Sequence, residues 1–387
     1  MLRRLTTGLL IALAATFTVA ADDARPVVIV TIENMAPTNG TFQTPVWIGF
    51  HNGEFDSYDG GTLANTLPLI GSDGLERLAE DGTTGPISAD FSLLAPDGTQ
   101  STVLSNGPIP PFGPGQRASR LFDANPESGR YFSYVSMVIP SNDAFVANGS
   151  PTAHPIFDAN GRFVAEGFVV AGNAVNDAGT EANDEIPANT AFFGQAAPNV
   201  GVVTEDPISD HVGFLPAGSG GILDAPNFAN ADFLSDGYNT LRFAFRYLDA
   251  NANLNFDGTI DEAQEIPMPT GDNDAAGRVQ LKLRENGTVL RFQVNVRDLS
   301  GPLAAAHLHV APAGQTGPVV VDLLANASRQ NNGSFAGEVT VADVVGPLAN
   351  DFDALLAELA TGGIYVNLHT DLNPAGEARG QLYLRNR

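Results

Sequence analysis

Two short stretches carry residues suited to chemistry on a common surface: His307-Leu308-His309, and the run from Tyr365 through Asn367 to His369. In an extended chain, residues two apart point to the same face. His307 and His309 therefore present both imidazoles together, as do Tyr365, Asn367 and His369 on a second strand. Three histidines suffice to hold a copper or zinc ion with one position left open. The same residues equally suit a structural role, hydrogen-bonding to each other's strands or to the loop 371–377, and no fourth ligand is evident.

A second set is acidic. The stretch 139–145 ends in a polar turn at Ser141-Asn142-Asp143, and 176–185 places six acid or amide residues around Gly179. Carboxylates at this density repel one another unless a hard dication lies between them, and calcium takes six to eight oxygens in flexible geometry. In that reading Asp143 and Asp177 are direct calcium ligands, and Glu181 and Asp184 are further ones. In the alternative reading, Asn142 and Asp143 cap a turn and the second cluster is a solvated loop. Residues 253–264 reproduce much of a twelve-residue EF-hand loop, with Gly258 at its sixth place. They depart from it with Asn253 at the first and Gln264 at the last, so they read either as a weak calcium loop or as a polar linker. His51, His154 and His211 read as hydrogen-bonded structural histidines.

The composition narrows the rest. The 387 residues include 44 acidic against 19 basic ones, a net charge of −25, and Lys282 is the single lysine, so no basic surface is available to neutralise phosphates. Nucleic acid is excluded as a partner. Cysteine is absent, which removes disulfides, thiolate metal sites and thiol nucleophiles together. Neither a GxSxG elbow nor an HExxH helix occurs, so nothing points to a hydrolase.

The elements that must position these residues are strands. With 41 glycines and 26 prolines, the chain suits many short strands joined by tight turns, an all-β protein. Residues 1–21 carry Arg3 and Arg4, an apolar run and small residues at Ala20 and Ala21, the pattern of a cleaved signal peptide. The expected product is secreted or periplasmic, without a transmembrane segment after signal removal. Strands are predicted at 27–32, 46–50, 132–139 and 163–170. The run 132–139 is apolar on both alternating sets and is therefore expected to be central. A helix is predicted over 72–80. The Asn- and Asp-rich stretch 249–261 reads as a linker between a first domain, 22–248, and a second, 262–387. The second domain holds about seven further strands, the density of a β-sandwich, and one helix over 351–360.

The first half resembles the spondin N-terminal domain in its bacterial form. The matching pieces are Trp47–Asn52, Leu78–Gly82, Ser136–Phe145, Asp177–Glu185 and His211-Val212-Gly213, in family order. That resemblance implies an antiparallel β-sandwich similar to calcium-dependent lipid-binding domains, with Asp143 and Asp177 as calcium ligands. Glu181 and Asp184 match the bacterial pattern. The second half resembles the chordin-type CHRD domain through Gln264-Glu265-Ile266-Pro267, Ala306–His309, Gly317–Val320, Tyr365–Thr370, Asn373-Pro374, Gly376-Glu377 and Arg379–Leu382. It implies a sandwich similar in fold to copper-zinc superoxide dismutase. The bridging histidine and aspartate-bearing zinc loop of that enzyme have no counterpart in this sequence.

The functional expectation is an exported, non-enzymatic protein of two antiparallel β-sandwiches that binds an extracellular protein, glycan or surface in a calcium-dependent way. The competing expectation is a copper- or zinc-binding or redox protein using His307, His309 and His369.

Overall fold

The computed structural model describes residues 26–385 apart from 108–109, 199, 250–253, 272–273, 285–286 and 332. The expected signal peptide, 1–21, and most of the first part of the expected linker lie outside the described residues.

All strand pairing described between named strands is antiparallel, and only three short α-helices occur among the described residues. The fold is therefore all-β, as expected from the glycine and proline content. In the first half a four-stranded sheet runs in the order Arg117–Asp123, Val27–Asn34, Asn239–Leu248, Phe168–Ala171. It faces an eight-stranded sheet whose main path is Ser209–Asp210, Asn176–Asp177, Ala144–Ala147, Tyr131–Ile139, Val46–His51, Thr99–Val103. Val28, Val30, Ile32 and Phe243 from the first sheet meet Ile48, Phe50, Phe132 and Val138 from the second in one core.

Tyr131–Ile139 is central, with its opposite face buried as well. Trp47, Val135 and Phe145 on that face pack under two helices, α1 (Gly74–Asp81) and α2 (Gly85–Leu94), through Leu75, Leu78 and Phe91. The sequence signalled α1, which ends at Gly82 in the left-handed conformation (φ 65°). It did not signal α2, whose Gly85-Pro86 start reads as a turn; proline is tolerated in the first turn of a helix because its missing N–H has no intrahelical acceptor there.

The second half is a ten-stranded antiparallel sheet that curls upon itself, giving the sandwich-like architecture expected for it. Its order is Val319–Asp322, Leu303–Val310, Ile364–Thr370, Ala378–Gln381, Asn255–Asp261, Ala276–Arg284, Val289–Arg297, Ser334–Val339, Ala327–Asn331. The inner face carries Leu308, Val366, Leu368, Phe256, Ile260, Val279 and Phe292, alternating with outward polar residues. The linker expectation is corrected here. Residues 255–261 are a strand at the heart of this sheet, paired with Ala276–Arg284. Gly258 serves close strand approach, since a Cβ there would lie 2.4 Å from the Gln381 carbonyl oxygen. An EF-hand loop needs its oxygens converging on one point, whereas a strand sends alternate side chains to opposite faces. The EF-hand reading is therefore set aside.

The third helix, α3 (Phe352–Ala360), is capped by the Asp351 side chain, which accepts from the Ala354 N–H, as its sequence predicts. It packs on the edge strand Arg117–Asp123 of the first half. Buried Glu358 accepts the Ser119 N–H of that strand and the Asn106 side-chain amide (2.8 Å), and lies 3.5 Å from the Arg117 guanidinium. An unpaired strand edge is thereby covered by a side chain from the other half of the molecule. Ile29 and Leu248 join the second-half core beside it. Because Glu358→Ala leaves two buried donors without an acceptor and Arg117, still bound to Thr361, without its carboxylate, it is expected to lower unfolding stability by about 3 kcal/mol in urea titration. A loss under about 0.5 kcal/mol, the range of ordinary surface substitutions, would show that the halves do not depend on this contact.

Candidate functional site

Two clusters collect the residues singled out by sequence. The first lies at the end of the eight-stranded sheet. Asn176–Asp177 pairs with Ala144–Ala147 in the register Asp177 opposite Ala144, and the Ala178 N–H donates to the Asp143 carbonyl (3.2 Å). The two acid-bearing turns, distant in sequence, therefore meet. Asp143 is wholly buried; its Oδ2 accepts the backbone N–H groups of Thr180 (2.8 Å) and Glu181 (3.0 Å) and the Thr180 hydroxyl (3.3 Å). Its Oδ1 has no hydrogen-bond partner. Glu181, also buried, accepts the Gly201 N–H through Oε1 (2.9 Å) and leaves Oε2 without a partner.

Burial and the neighbouring Asp177 charge push the Asp143 carboxyl up to about 7, against the hydrogen bonds from Glu181 and Thr180. Burial likewise pushes Glu181 up to about 7, with Asp143, Asp81 and Asp184 adding repulsion. Sequence reasoning left out a further member: Glu80 at the end of α1, pushed up to about 7 by burial and, more weakly, by Glu181. Its signal was the acidic pair within the Leu78–Gly82 motif.

Asp177 and Asp184 are tied into the loop. Asp177 accepts the Gly179 N–H (2.8 Å) and the Asn183 amide (2.5 Å). Asp184 spends both oxygens on its own loop, on the Ile186 N–H (2.9 Å) and the Asn189 amide (2.7 Å). Of the four acids picked from sequence, Asp143, Asp177 and Glu181 are brought together, while Asp184 shapes the loop. A cavity of about 370 Å³ opens beside them, lined by Asp177, Glu181, Asn183, Thr204, Asp206 and Ser209 among others. Glu185, in the same acidic run, is structural: it accepts the Leu215 and Ile222 N–H groups.

The second cluster sits on the outer face of the curled sheet. Leu303–Val310 pairs with Ile364–Thr370 so that His309 stands opposite Tyr365, His307 opposite Asn367, and Ala305 opposite His369. One potential ligand atom from each of His307, His309 and His369 lies within 4.8 Å of the others, the only such group of three His, Cys, Asp or Glu among the described residues. His309 Nδ1 lies 2.9 Å from the Gly317 carbonyl and His369 Nδ1 3.1 Å from the Pro374 carbonyl. A carbonyl only accepts, so both Nδ1 atoms carry the proton and both Nε2 atoms carry lone pairs. His307 Nδ1 lies 3.2 Å from His369 Nε2. Burial lowers the His309 pKa to about 4 and lowers that of His369, with the other histidines contributing, so both are neutral at pH 7.

His309 stacks on Tyr365 (4.9 Å, 10°), and Arg379 lies 3.5 Å from the centre of the same ring. The partner loops are themselves fixed. The Tyr365 hydroxyl accepts the Gly317 N–H (3.2 Å), and buried Glu377 braces the 371–377 loop through Ser300, Thr370 and Asn373.

The remaining histidines are hydrogen-bonded or stacked, as expected, with His211 lying against the acidic loop, its Nε2 3.3 Å from the Asn183 side-chain oxygen. His51 Nε2 lies 2.8 Å from the Ser133 hydroxyl and its Nδ1 accepts the Gly53 N–H (3.0 Å). His154 stacks on Phe168 at 3.7 Å, and His211 accepts the Gly213 N–H (3.0 Å).

The acidic cluster fixes a direction for stability against pH. Asp143, Glu181 and Glu80 have folded-state values near 7 against ordinary values of 3.8, 4.5 and 4.5, so the folded chain holds more protons than the unfolded one between about 4 and 7. Their contribution must fall as pH rises through that window and stay low above it. In calcium-free buffer the thermal midpoint is expected to be lower at pH 7.5 than at pH 5.5, a difference that Asp143→Asn should reduce. An unchanged pH dependence in that variant would sink the assignment.

No curated protein matches the chain, and no solved structure matches it. None of the described helices is long and apolar enough to cross a membrane. The resemblance of the first half to the spondin domain rests on its motifs alone. The second half is matched by a family model, that of a domain family that is not enzymatic. Residues 256–382, which contain all three clustered histidines, are a CHRD domain.

Proposed function

We propose that this chain is an exported, non-enzymatic binding protein whose spondin-type first domain takes up calcium at the Asp143 cluster to order its ligand-facing end. The observation that carries this reading is the pair of buried, unpartnered carboxylate oxygens, Asp143 Oδ1 and Glu181 Oε2, on two turns that meet. An orphaned buried carboxylate oxygen is costly, and a hard cation with oxygen preference removes that cost. Asp143, Glu181 and Asp177 fit the ion by donor type, and binding would draw their carboxylates closer than they stand, since their ligand atoms do not form a set of three within 4.8 Å of one another; backbone carbonyls and water would complete the shell. The ion would supply positive charge where three acids now repel.

This chain's own residues do the rest. The Thr180 and Glu181 N–H groups anchor the acidic loop on Asp143, and Asp184 and Glu185 shape the loop beyond it. The adjoining cavity, lined by Asp177, Asn183, Thr204, Asp206 and Ser209, offers hydroxyls, amides and carboxylates to a ligand. That lining suits a polar extracellular partner, a protein, glycan or surface group.

Calcium added from micromolar to millimolar to chelator-treated protein is expected to raise the thermal midpoint, by the equivalent of about 2.7 kcal/mol at a hundredfold excess over Kd. Asp143→Asn should abolish the rise. A midpoint indifferent to calcium, or an undiminished response in Asp143→Asn, would end this reading.

A further inference from the structure

We infer that the CHRD domain carries a transition-metal site independent of the calcium reading: one zinc or copper(II) ion bound by Nε2 of His309, Nε2 of His369 and a ring nitrogen of His307, with the fourth position open. Three features of the outer sheet face converge on it. One ring nitrogen of each histidine already lies within 4.8 Å of the others, and closing that span to the roughly 3.4 Å between nitrogens of a tetrahedral site with bonds of about 2.0–2.1 Å takes only small ring movements.

Two of the rings are held in the metal-ready tautomer by backbone carbonyls. Gly317 and Pro374 take the Nδ1 protons of His309 and His369, the outer-shell arrangement that aims a histidine lone pair at a metal. The carbonyl at 317 is set by tight packing, because a Cβ on Gly317 would lie 1.9 Å from the Val310 carbonyl oxygen.

The third feature is an unmet need: His309 Nε2 is buried and has no hydrogen-bond partner. A purely structural histidine of that burial would satisfy both nitrogens, as His51 does. The Arg379 cation acts against positive charge at His309, a cost the site must offset. Arg379 is held against Tyr365, on the strand across from His309, and is tied to the Gln315 carbonyl (2.7 Å) and the Gln381 side chain (3.2 Å). Imidazole ligands with no carboxylate in the set select zinc or copper over calcium and magnesium.

The test titrates zinc and, separately, copper(II) into the full chain after EDTA treatment, with calcium present in excess. One ion per chain is expected, with nitrogen hyperfine structure in the copper(II) spin-resonance spectrum. His309→Ala and His369→Ala should each weaken binding at least about tenfold, while Asp143→Asn should leave it unchanged. Should a variant fail to fold, diethyl pyrocarbonate modification of the unaltered chain decides. Zinc should protect His307, His309 and His369 while leaving other histidines unaffected. Absence of stoichiometric binding, binding undiminished in both histidine variants, or no protection at these three positions would overturn the inference.

Discussion

A single buried carboxylate closes the first domain. Asp143 ends the turn after the central strand, and one of its oxygens accepts the N–H groups of two residues nearly forty positions along the chain. An ionised carboxylate in such a place is costly unless its lone pairs are filled. The N–H groups and the Thr180 hydroxyl fill one oxygen and leave the other buried without a partner. The domain thus places like charges where ordinary folding would separate them, and its stability becomes sensitive to protons at that point. The pairing of Ala144 with Asp177 and the shape of the 177–185 loop both follow from that contact.

The CHRD domain reaches its chemistry by a different route, strand periodicity. Leu308, Val366 and Leu368 point inward and are fully buried, so His307, His309, Asn367 and His369 must point outward. Outward does not mean exposed, because the loops 311–318 and 371–377 fold over this face. They supply the carbonyls that orient two of the rings. A polar layer results in which His309 Nε2, Asn367 Oδ1 and Glu265 Oε2 all remain unpartnered.

The halves are not beads on a string. Helix α3 of the CHRD half lies against Arg117–Asp123, the edge of the four-stranded sheet, and Glu358 acts there as a surrogate strand partner. A bare edge invites pairing with another chain. Covering it from the neighbouring half protects it and couples the domains through a buried charge, which rewards the joined arrangement and penalises any other.

The sequence by itself determined the element type and the grouping of side chains by face. Alternation in 132–139 marked a strand buried on both sides, Asp351 and the leucines after it marked α3, and the two-residue spacing of His307 and His309 put them on one surface. These features depend only on local geometry. Which turns meet, which carboxylates lose their partners and which carbonyl orients which ring were decided by the tertiary structure. Residues 255–261 show why: their oxygen spacing imitates a calcium loop, yet pairing with Ala276–Arg284 draws them into a strand. Cooperative hydrogen bonding along a sheet outweighs the preference of a few polar side chains, and it depends on partners that local spacing does not contain.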